Sequence, residues 1–174
     1  STPGLAWMLA TVGHFGADKF SDYWKTLVKG GAKIASGWTE AYNTDFSAGE
    51  GKGAYPIVVS YASSPSYTVS KDGASTTTAA LLDTAFRQVE YAGVLKGAAN
   101  PAGGQAFINW MLSKNVQADI PKKMYMYPVD SSVQLPEALA KFGPLAKKPV
   151  EVAPAKIAAE REQWLKLWAS AVGK

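Results

Sequence analysis

A polar stretch in the middle of the chain is the feature that most restricts how it folds. Residues 62–78 consist mainly of serine, threonine, proline, glycine and other polar residues, with hardly an apolar side chain. A stretch of this composition favours turns and loops, because its side chains bond to their own backbone and offer little apolar surface to bury. We therefore expect a crossing segment or a surface excursion here, and we place the main boundary of the 174-residue chain at this point.

Before the polar stretch, the apolar pattern alternates between helix and strand. Thr2 is a good N-cap with Pro3 as the first helical residue, and Asp18 is placed to cap a second helix that Gly30 ends. A short strand, a third helix, a glycine-rich loop and a β-branched strand follow, at 32–35, 39–48, 49–53 and 55–61. This alternation is typical of an α/β lobe with parallel strands.

After the polar stretch, the pattern predicts two strands and two helices. Asn100 and Pro101 open a helix that we expect to continue to Ile120. The predicted strands cover 86–95 and 124–129, and a proline-rich connector then leaves room for short helical turns only. The chain ends in a helix from about Ala155 to Val172, with an apolar stripe along one face.

The residue types present disfavour most enzyme classes. The absence of cysteine excludes a thiolate site among these residues, and a single histidine, His14, leaves almost no scope for a zinc site or a catalytic triad. Its 18 basic and 14 acidic side chains give a net charge of +4, and the lysines are scattered, which does not indicate nucleic-acid binding. The loop Gly49–Gly53 lacks the spacing of a phosphate-binding loop and is interpreted as a flexible connector. We expect no catalytic residue, no metal ligand and no cofactor among these residues.

The amino end of the first helix is one candidate binding site. Ser1 and Thr2 carry hydroxyl groups and Gly4 has no side chain, so the amide donors of this helix start are open to an anion such as a phosphate. The alternative is that Thr2 caps its own helix and binds nothing. The local sequence does not decide between the two.

Aromatic residues near the ends of the predicted strands are a second candidate site. In an open α/β sheet, ligands collect just beyond the strand ends, where ring faces suit a flat or cationic ligand. The alternative is that these residues are ordinary core and surface aromatics. The rings in question belong to Trp38, Tyr42, Tyr61, Tyr67, Tyr125 and Tyr127.

Six strings of the sequence, taken in order, resemble a known family. They are STPGL at 1–5, GWTEAY at 37–42, VSYASSPSY at 59–67, QVEYAGVLKGAANP at 88–101, MYPVDSS at 126–132 and AAEREQWLKLW at 158–168. Together they are similar to the thiamine-binding proteins of ABC importers, a branch of the type II periplasmic binding proteins. The resemblance spans essentially the whole chain, which looks like the carboxyl-terminal half of such a protein.

The resemblance implies an α/β fold of the type II periplasmic-binding-protein kind, in which helices pack on mixed sheets in two lobes. Residues 1–59 would then belong to the second lobe, 60–78 to the hinge crossing and polar excursion, and 79–174, with the final helix, to the first lobe. The amino-terminal half would be absent from this chain. An acidic partner for the ligand would be absent with it.

The resemblance also implies a function and a set of contacts. The protein would bind thiamine or its phosphate esters in an aromatic-lined cleft between the lobes, and it would not be an enzyme, because no bond is made or broken. Trp38, Tyr61 and Tyr125 match aromatic positions around the thiamine rings, with Tyr125 at a position where the family also uses tryptophan. Tyr67 matches a further cleft tyrosine. The remaining matches, at the hydroxyethyl or phosphate end of the ligand, are Ser1, Thr2, Gly4 and, more weakly, Ser64.

The implied partners are thiamine, an ABC permease in the membrane, and either the absent amino-terminal half or a second copy of the chain. The implied location is extracytoplasmic, in a periplasm or anchored by a lipid at the outer face of the membrane.

Two alternative functions stay open. A ferric-ion-binding protein of the same fold would use paired tyrosines, although Tyr125 and Tyr127 would point to opposite sides of a strand. A thiaminase-like transferase would need a cysteine from outside these residues.

Overall fold

The computed structural model describes all residues from Ser1 to Lys174, and about half of them are helical. The α-helices are α1 (Thr2–Phe15), α2 (Phe20–Lys29), α3 (Pro101–Met111), α4 (Lys114–Lys123), α5 (Glu137–Phe142) and α6 (Pro154–Val172). A π-helical turn covers Glu40–Asp45, and 3₁₀ turns cover Ser64–Tyr67 and Leu82–Thr84. None of the helices is both long enough and apolar enough to cross a membrane.

The chain forms two compact units. The first unit contains residues 1–61, 81–88 and 146–174, and the second unit contains residues 62–80 and 89–145. This division differs from the expected boundaries after residues 59 and 78, because the final helix packs with the first two helices of the chain. The assignment of these segments to the lobes of a longer protein stays a prediction.

The core of the first unit lies between α1, α2 and α6. Apolar residues recur at helical spacing in these helices, so each has an apolar face to bury. Phe20 of α2 and Trp164 of α6 are almost completely shielded from solvent, and the Trp24 and Trp168 rings meet edge to face with centroids 5.7 Å apart. The other buried apolar residues of this core are Met8, Leu9, Val12 and Val172. The predicted first, second and final helices are therefore confirmed.

A short chain of hydrogen bonds is buried in the same core. The Trp24 indole N–H donates to Thr11 Oγ1 at 2.9 Å, and the Thr11 hydroxyl donates to the Met8 carbonyl oxygen at 2.7 Å. A buried polar group without a partner costs about 1–3 kcal/mol, so these two bonds remove a penalty that the core would otherwise carry. They also fix the position of α2 along α1.

The start of α2 differs from the prediction. Asp18 does not cap this helix; Lys19 occupies the N-cap position and makes no capping bond with its side chain. The Lys19 and Phe20 amides instead donate to the Gly16 carbonyl oxygen, at 3.2 and 3.1 Å. Backbone bonds in the tight turn after α1 therefore satisfy the helix start, and a side-chain cap is not needed.

The helix expected to run from Pro101 to Ile120 is divided in two. Asn100 caps α3 as predicted, because its Oδ1 accepts the amide proton of the residue three positions further on, at 2.8 Å. Ser113 then adopts extended backbone angles between α3 and α4. Gln117 of α4 is buried and donates through Nε2 to the Met111 carbonyl oxygen at 2.8 Å, which stabilises the break.

The expected mixed sheets are not formed. The structure has three isolated bridges, which pair Phe46 with Tyr55, Val69 with Thr76, and Phe86 with Val150. A strand is held by a ladder of hydrogen bonds to a neighbour, so an extended segment without a neighbour is not a strand. The strand predictions for 32–35, 55–61, 86–95 and 124–129 are therefore wrong for this chain.

Hydroxyl groups order the polar stretch 62–78. The Thr68 hydroxyl lies 2.7 Å from the hydroxyl groups of both Thr76 and Thr78, and the Thr76 hydroxyl donates to the Pro65 carbonyl oxygen at 2.9 Å. The stretch belongs entirely to the second unit. It is therefore a bonded surface excursion, while its role in a hinge stays a prediction.

A side chain at Gly13 should destabilise the first unit. A Cβ atom there would lie 2.6 Å from Val150 Cγ1 and 3.1 Å from the Glu151 carbonyl oxygen. We expect Gly13→Ala to lower the free energy of unfolding by about 1–2 kcal/mol, because overpacking outweighs the better helix propensity of alanine. Urea unfolding followed by tryptophan fluorescence measures the change.

The matched control is Gly93→Ala. A Cβ atom at Gly93 meets no atom within 4 Å, and its backbone does not require glycine. Equal unfolding free energies for the two variants would contradict the close packing of α1 against residues 150–152.

Candidate functional site

Four aromatic side chains of the first unit form a continuous group, here named the aromatic cluster. Trp38 stacks on Tyr42 with ring centroids 5.0 Å apart and planes at 14°. Tyr42 meets Phe46 at 5.6 Å, and Trp38 meets Tyr61 at 6.1 Å with planes at 55°. The Trp38 indole N–H donates to Ser60 Oγ at 2.9 Å. The structure therefore brings together Trp38 and Tyr61, two of the residues singled out from the sequence.

The aromatic cluster has a buried base and an accessible rim. Phe46 is buried, Trp38 and Tyr42 are half-buried, and the Tyr61 side chain is 37% exposed. The Tyr42 ring stacks on the Trp38 ring, whereas the Tyr61 ring is tilted by 55° from the Trp38 plane. A fixed tryptophan next to an exposed tyrosine suits a flat or cationic ligand, which gains from both stacking and cation–π attraction.

The π-helical turn at 40–45 sets the positions of these rings. The α-helix predicted over 39–48 is wrong: the helix ends three residues early, and the Phe46 amide donates to the Ala41 carbonyl oxygen, five residues back. Such turns are rare and occur frequently at functional sites. This one contains Tyr42 and is flanked by Trp38 and Phe46, so its closure controls the aromatic cluster.

Three charged side chains, here named the ion cluster, close this turn. Lys33 Nζ lies 2.7 Å from Glu40 Oε1, and 2.9 and 2.8 Å from the two carboxylate oxygens of Asp45. Glu40 Oε2 accepts from the Ser36 amide at 2.9 Å and from the Ser36 hydroxyl at 2.6 Å. The Lys33 ammonium, aided by Ser36, lowers the pKa of Glu40 to about 2, and the two carboxylates raise the pKa of Lys33. Lys33 and Glu40 are therefore charged throughout the neutral range.

The glycine-rich loop Gly49–Gly53 packs on the end of the same turn. The Gly51 amide donates to the Asn43 carbonyl oxygen at 2.7 Å. A Cβ atom at Gly53 would collide with the backbone of Asp45. Only glycine lets two backbone segments approach this closely, so the loop is a fitted part of the site and not the flexible connector expected from the sequence.

Two further candidate residues meet in the second unit, where they form the tyrosine pair. Tyr67 and Tyr125 lie edge to face, with centroids 4.6 Å apart and planes at 87°. The Tyr67 hydroxyl donates to the Pro121 carbonyl oxygen at 2.8 Å, and the Ser63 hydroxyl donates to the Tyr125 carbonyl oxygen at 2.9 Å. Burial raises the pKa of the Tyr67 phenol. The Tyr67 phenol therefore acts as a hydrogen-bond donor to the main chain.

Tyr125 does not lie in the strand predicted for it. Its φ of 59° falls in the left-handed region, which residues other than glycine seldom adopt. The Tyr127 hydroxyl donates to the Gly143 carbonyl oxygen at 2.7 Å. The expectation that the Tyr125 and Tyr127 side chains point to opposite sides of a strand therefore does not apply. Backbone strain of this kind costs about 1–3 kcal/mol and is concentrated at binding sites, which supports Tyr125 as a candidate.

The candidate anion site lies at the exposed start of α1. Ser1, and not Thr2, is the N-cap, because its hydroxyl accepts from the Gly4 amide at 3.4 Å. A cap side chain reaches the third helical residue, so Thr2 is the first residue of the helix. At 3.4 Å this capping bond is long and weak. Ser64, the weaker candidate, begins a 3₁₀ turn in the second unit.

Tyr42 belongs to the aromatic group noted in the sequence but is not among the ligand contacts that the family resemblance implies, and Lys33 is not singled out at all. The signal for Tyr42 is its four-residue spacing from Trp38 and from Phe46, which places the three rings along one side of a helical turn. A lone lysine such as Lys33 gives no comparable signal, because most lysines are solvated. Its role depends on carboxylates that the fold brings to it.

Other surface features do not compete with these two ring groups. No set of three or more histidine or acidic side chains is placed to hold a metal ion. A shallow groove on α6 contains none of the expected ligand-binding residues; it is lined by Pro154, Ile157, Ala158, Arg161 and Glu162. The aromatic cluster and the tyrosine pair are therefore the candidate ligand contacts.

Relatives match the chain along its whole length. The thiamine-binding periplasmic protein of Escherichia coli (strain K12) is 33% identical over 175 residues, which cover 100% of this chain and 51% of the relative. The proteins of the same name from Salmonella typhimurium and Brucella melitensis are 32% and 30% identical over 177 residues, with the same coverage. The resemblance found in the sequence is confirmed, and this chain spans about half the length of the curated relatives it matches. No family model and no solved structure matches the chain.

A side chain at Gly53 should open the π-helical turn. We expect Gly53→Ala to displace the loop from Asp45 and to lower the free energy of unfolding by about 1–3 kcal/mol, since backbone atoms must move to admit the methyl group. It should also weaken the near-ultraviolet circular dichroism of the stacked Trp38 and Tyr42 rings. Gly37→Ala is the control, because a Cβ atom there meets nothing within 4 Å. An unchanged spectrum for Gly53→Ala would contradict the fitted loop.

Proposed function

From its similarity to thiamine-binding periplasmic proteins along its whole length, we propose that this chain is part of an extracytoplasmic solute-binding protein for thiamine or its phosphate esters. The observation that carries the proposal is the aromatic cluster, in which Trp38 is held beside the exposed ring of Tyr61. The chain spans about half of its relatives, so the activity of the complete protein is part of the proposal.

The chemistry of thiamine fits a cluster of rings. The thiazolium group carries a permanent positive charge that no titration removes, and an aromatic face attracts it by about 0.5–2 kcal/mol, most strongly at tryptophan. The aminopyrimidine is flat and neutral, and it gains by stacking. Trp38 would therefore contact the thiazolium, and a ring on the other side would complete the enclosure.

The spacing of Trp38 and Tyr61 sets a condition on binding. Ring centroids 6.1 Å apart are too close to admit a third ring, because two stacking contacts of about 3.5 Å need about 7 Å between the outer rings. Tyr61 would swing outward by about 1 Å, which its exposure permits. Tyr42 stacks on Trp38 and would keep the indole in place during this movement.

Other contacts follow from the family resemblance and are proposed with it. The tyrosine pair Tyr67 and Tyr125 would contribute ring contacts to thiamine in the complete protein. The phosphate or hydroxyethyl end would meet the start of α1, where Ser1, Thr2 and Gly4 are exposed and the Gly4 amide is only weakly bonded. Ser64 would be a weaker contact at that end.

In the proposed role the protein binds its ligand and does not transform it. Selectivity would come from ring stacking and hydrogen bonds, and an ABC permease in the membrane would receive the ligand from the bound form. The complete protein would have the two-lobed type II periplasmic-binding-protein fold and lie in a periplasm or at the outer face of a membrane. Its relatives carry the words thiamine-binding and periplasmic in their names, which supports this role.

We also propose that residues corresponding to the other half of the relatives cover an apolar surface of the second unit. Tyr91 is 91% exposed, Leu95 is 82% exposed, and Phe107 and Trp110 are each 57% exposed. Apolar surface of this kind is usually covered by another part of a protein. A polypeptide that pairs with the backbone of residues 89–95 would cover it, and a second copy of the chain is the alternative.

Loss of a ring from the aromatic cluster should weaken thiamine binding. We expect Trp38→Ala and Tyr61→Ala each to reduce the binding free energy by about 1–3 kcal/mol, as a stacked and desolvated aromatic contact is lost. Isothermal titration calorimetry of the complete protein, of which this chain is proposed to be a part, measures the change with thiamine. The uncharged thiazole half of the vitamin, titrated in parallel, should bind more weakly because it lacks both the permanent charge and the stacking aminopyrimidine ring.

Trp110→Ala is the matched control for these titrations. It removes an exposed tryptophan of the second unit that is not among the expected ligand contacts. An affinity unchanged by Trp38→Ala, or reduced equally by Trp110→Ala, would exclude the aromatic cluster as the binding site.

The covering proposal is tested by the assembly of the chain in solution. We expect sedimentation equilibrium to show a monomer that binds an apolar fluorescent dye, and we expect the pair of substitutions Tyr91→Lys and Trp110→Lys to reduce the dye signal. A stable dimer that the same substitutions dissociate would favour a second copy as the occupant and contradict the proposal.

A further inference from the structure

The ion cluster joins the two ends of the π-helical turn. Glu40 is the first residue of the turn and Asp45 is the last, and the Lys33 ammonium bonds to both. Lys33 itself lies outside the turn, in the extended segment that precedes it. One cation therefore connects three points of the backbone around the aromatic cluster.

The rings follow the turn that this cation closes. Trp38 lies just before the turn, Tyr42 lies within it and Phe46 lies just after it, and neighbouring rings are 5.0 and 5.6 Å apart. An opening of the turn would separate these rings, because each is attached to a different part of it. The orientation of the Trp38 ring would then no longer be fixed.

The bonds of Lys33 are poorly suited to a role in global stability. The Lys33 and Glu40 side chains are 40% and 34% exposed, and exposed ion pairs contribute little to the free energy of unfolding, so only the pair with Asp45, which is 17% exposed, adds to stability. Their geometry is nevertheless specific, with short charge-assisted bonds to two carboxylates and a further pair of bonds from Ser36 to Glu40. Such a cluster can fix a local conformation without adding much stability.

We propose that Lys33 is a positioning residue for ligand binding, which holds the π-helical turn closed so that Trp38 and Tyr42 stay stacked. The proposal rests on the proposed function, since the aromatic cluster is taken to be the thiamine site. Lys33 does not touch the ligand. It acts through Glu40 and Asp45, and its loss should disorder the rings before it unfolds the chain.

The test uses the complete protein with two substitutions of Lys33. Lys33→Met keeps the length of the side chain and removes its charge, and Lys33→Arg keeps the charge and can still bond to both carboxylates. We expect Lys33→Met to lose much of the near-ultraviolet circular dichroism of the ring stack and to bind thiamine at least tenfold more weakly. Its urea unfolding midpoint should stay close to that of the wild type. Lys33→Arg should restore most of the spectrum and most of the affinity.

Lys25→Met is the matched control, because Lys25 also lies in the first unit and pairs with Asp22 at 2.8 Å on an exposed surface. It should change neither the spectrum nor the affinity. If Lys33→Met does not fold, Glu40→Gln removes one of the two carboxylate partners and should show the same loss of spectrum and affinity.

The outcomes separate this inference from the proposed function. A wild-type spectrum and affinity in Lys33→Met, or in Glu40→Gln where Lys33→Met does not fold, would overturn the positioning role. A spectral loss without rescue by Lys33→Arg would also count against it. If the complete wild-type protein does not bind thiamine in calorimetry, the proposed function fails, and the spectra of the same variants still decide whether Lys33 holds the ring stack.

Discussion

Backbone hydrogen bonds between the glycine-rich loop and the π-helical turn are the interaction on which the candidate site depends. A π-helical turn is seldom stable by itself, so it persists only where its surroundings hold it. Here the Gly51 amide bonds to a carbonyl oxygen of the turn, and Lys33 bonds to the carboxylates at both of its ends. The Trp38 and Tyr42 rings are therefore positioned by main-chain and ionic contacts, with the buried Phe46 as their base.

The helices with strong apolar spacing could be predicted from the sequence, and other elements could not. Phe20 and Trp24 define the buried face of α2, and Asn100 marks the start of α3, because these signals are local. The predicted strands failed for a different reason. An extended segment becomes a strand only when another segment pairs with it, and β-branched residues at 55–61 cannot supply that neighbour themselves.

The same distinction applies to the candidate site. The placement of aromatic residues in the sequence made Trp38 and Tyr61 candidate ligand contacts, with ordinary core packing as the alternative. The family resemblance then favoured them as ligand contacts, and the structure places the two rings together. Lys33 could not be identified in this way, because its partner Asp45 lies twelve residues further along the chain and meets it only once the turn has formed. Residues that contact a ligand carry a signature in their type, whereas residues that support them depend on the tertiary structure.

The left-handed backbone at Tyr125 carries a consequence for anyone who engineers this protein. Glycine and asparagine adopt such a conformation at lower energy than tyrosine, so a screen that rewards heat resistance alone will favour them at this position. The resulting variants would be more stable to heat and would lack one ring of the tyrosine pair. Selection for heat resistance at this position would therefore remove a ring that the family resemblance assigns to the ligand.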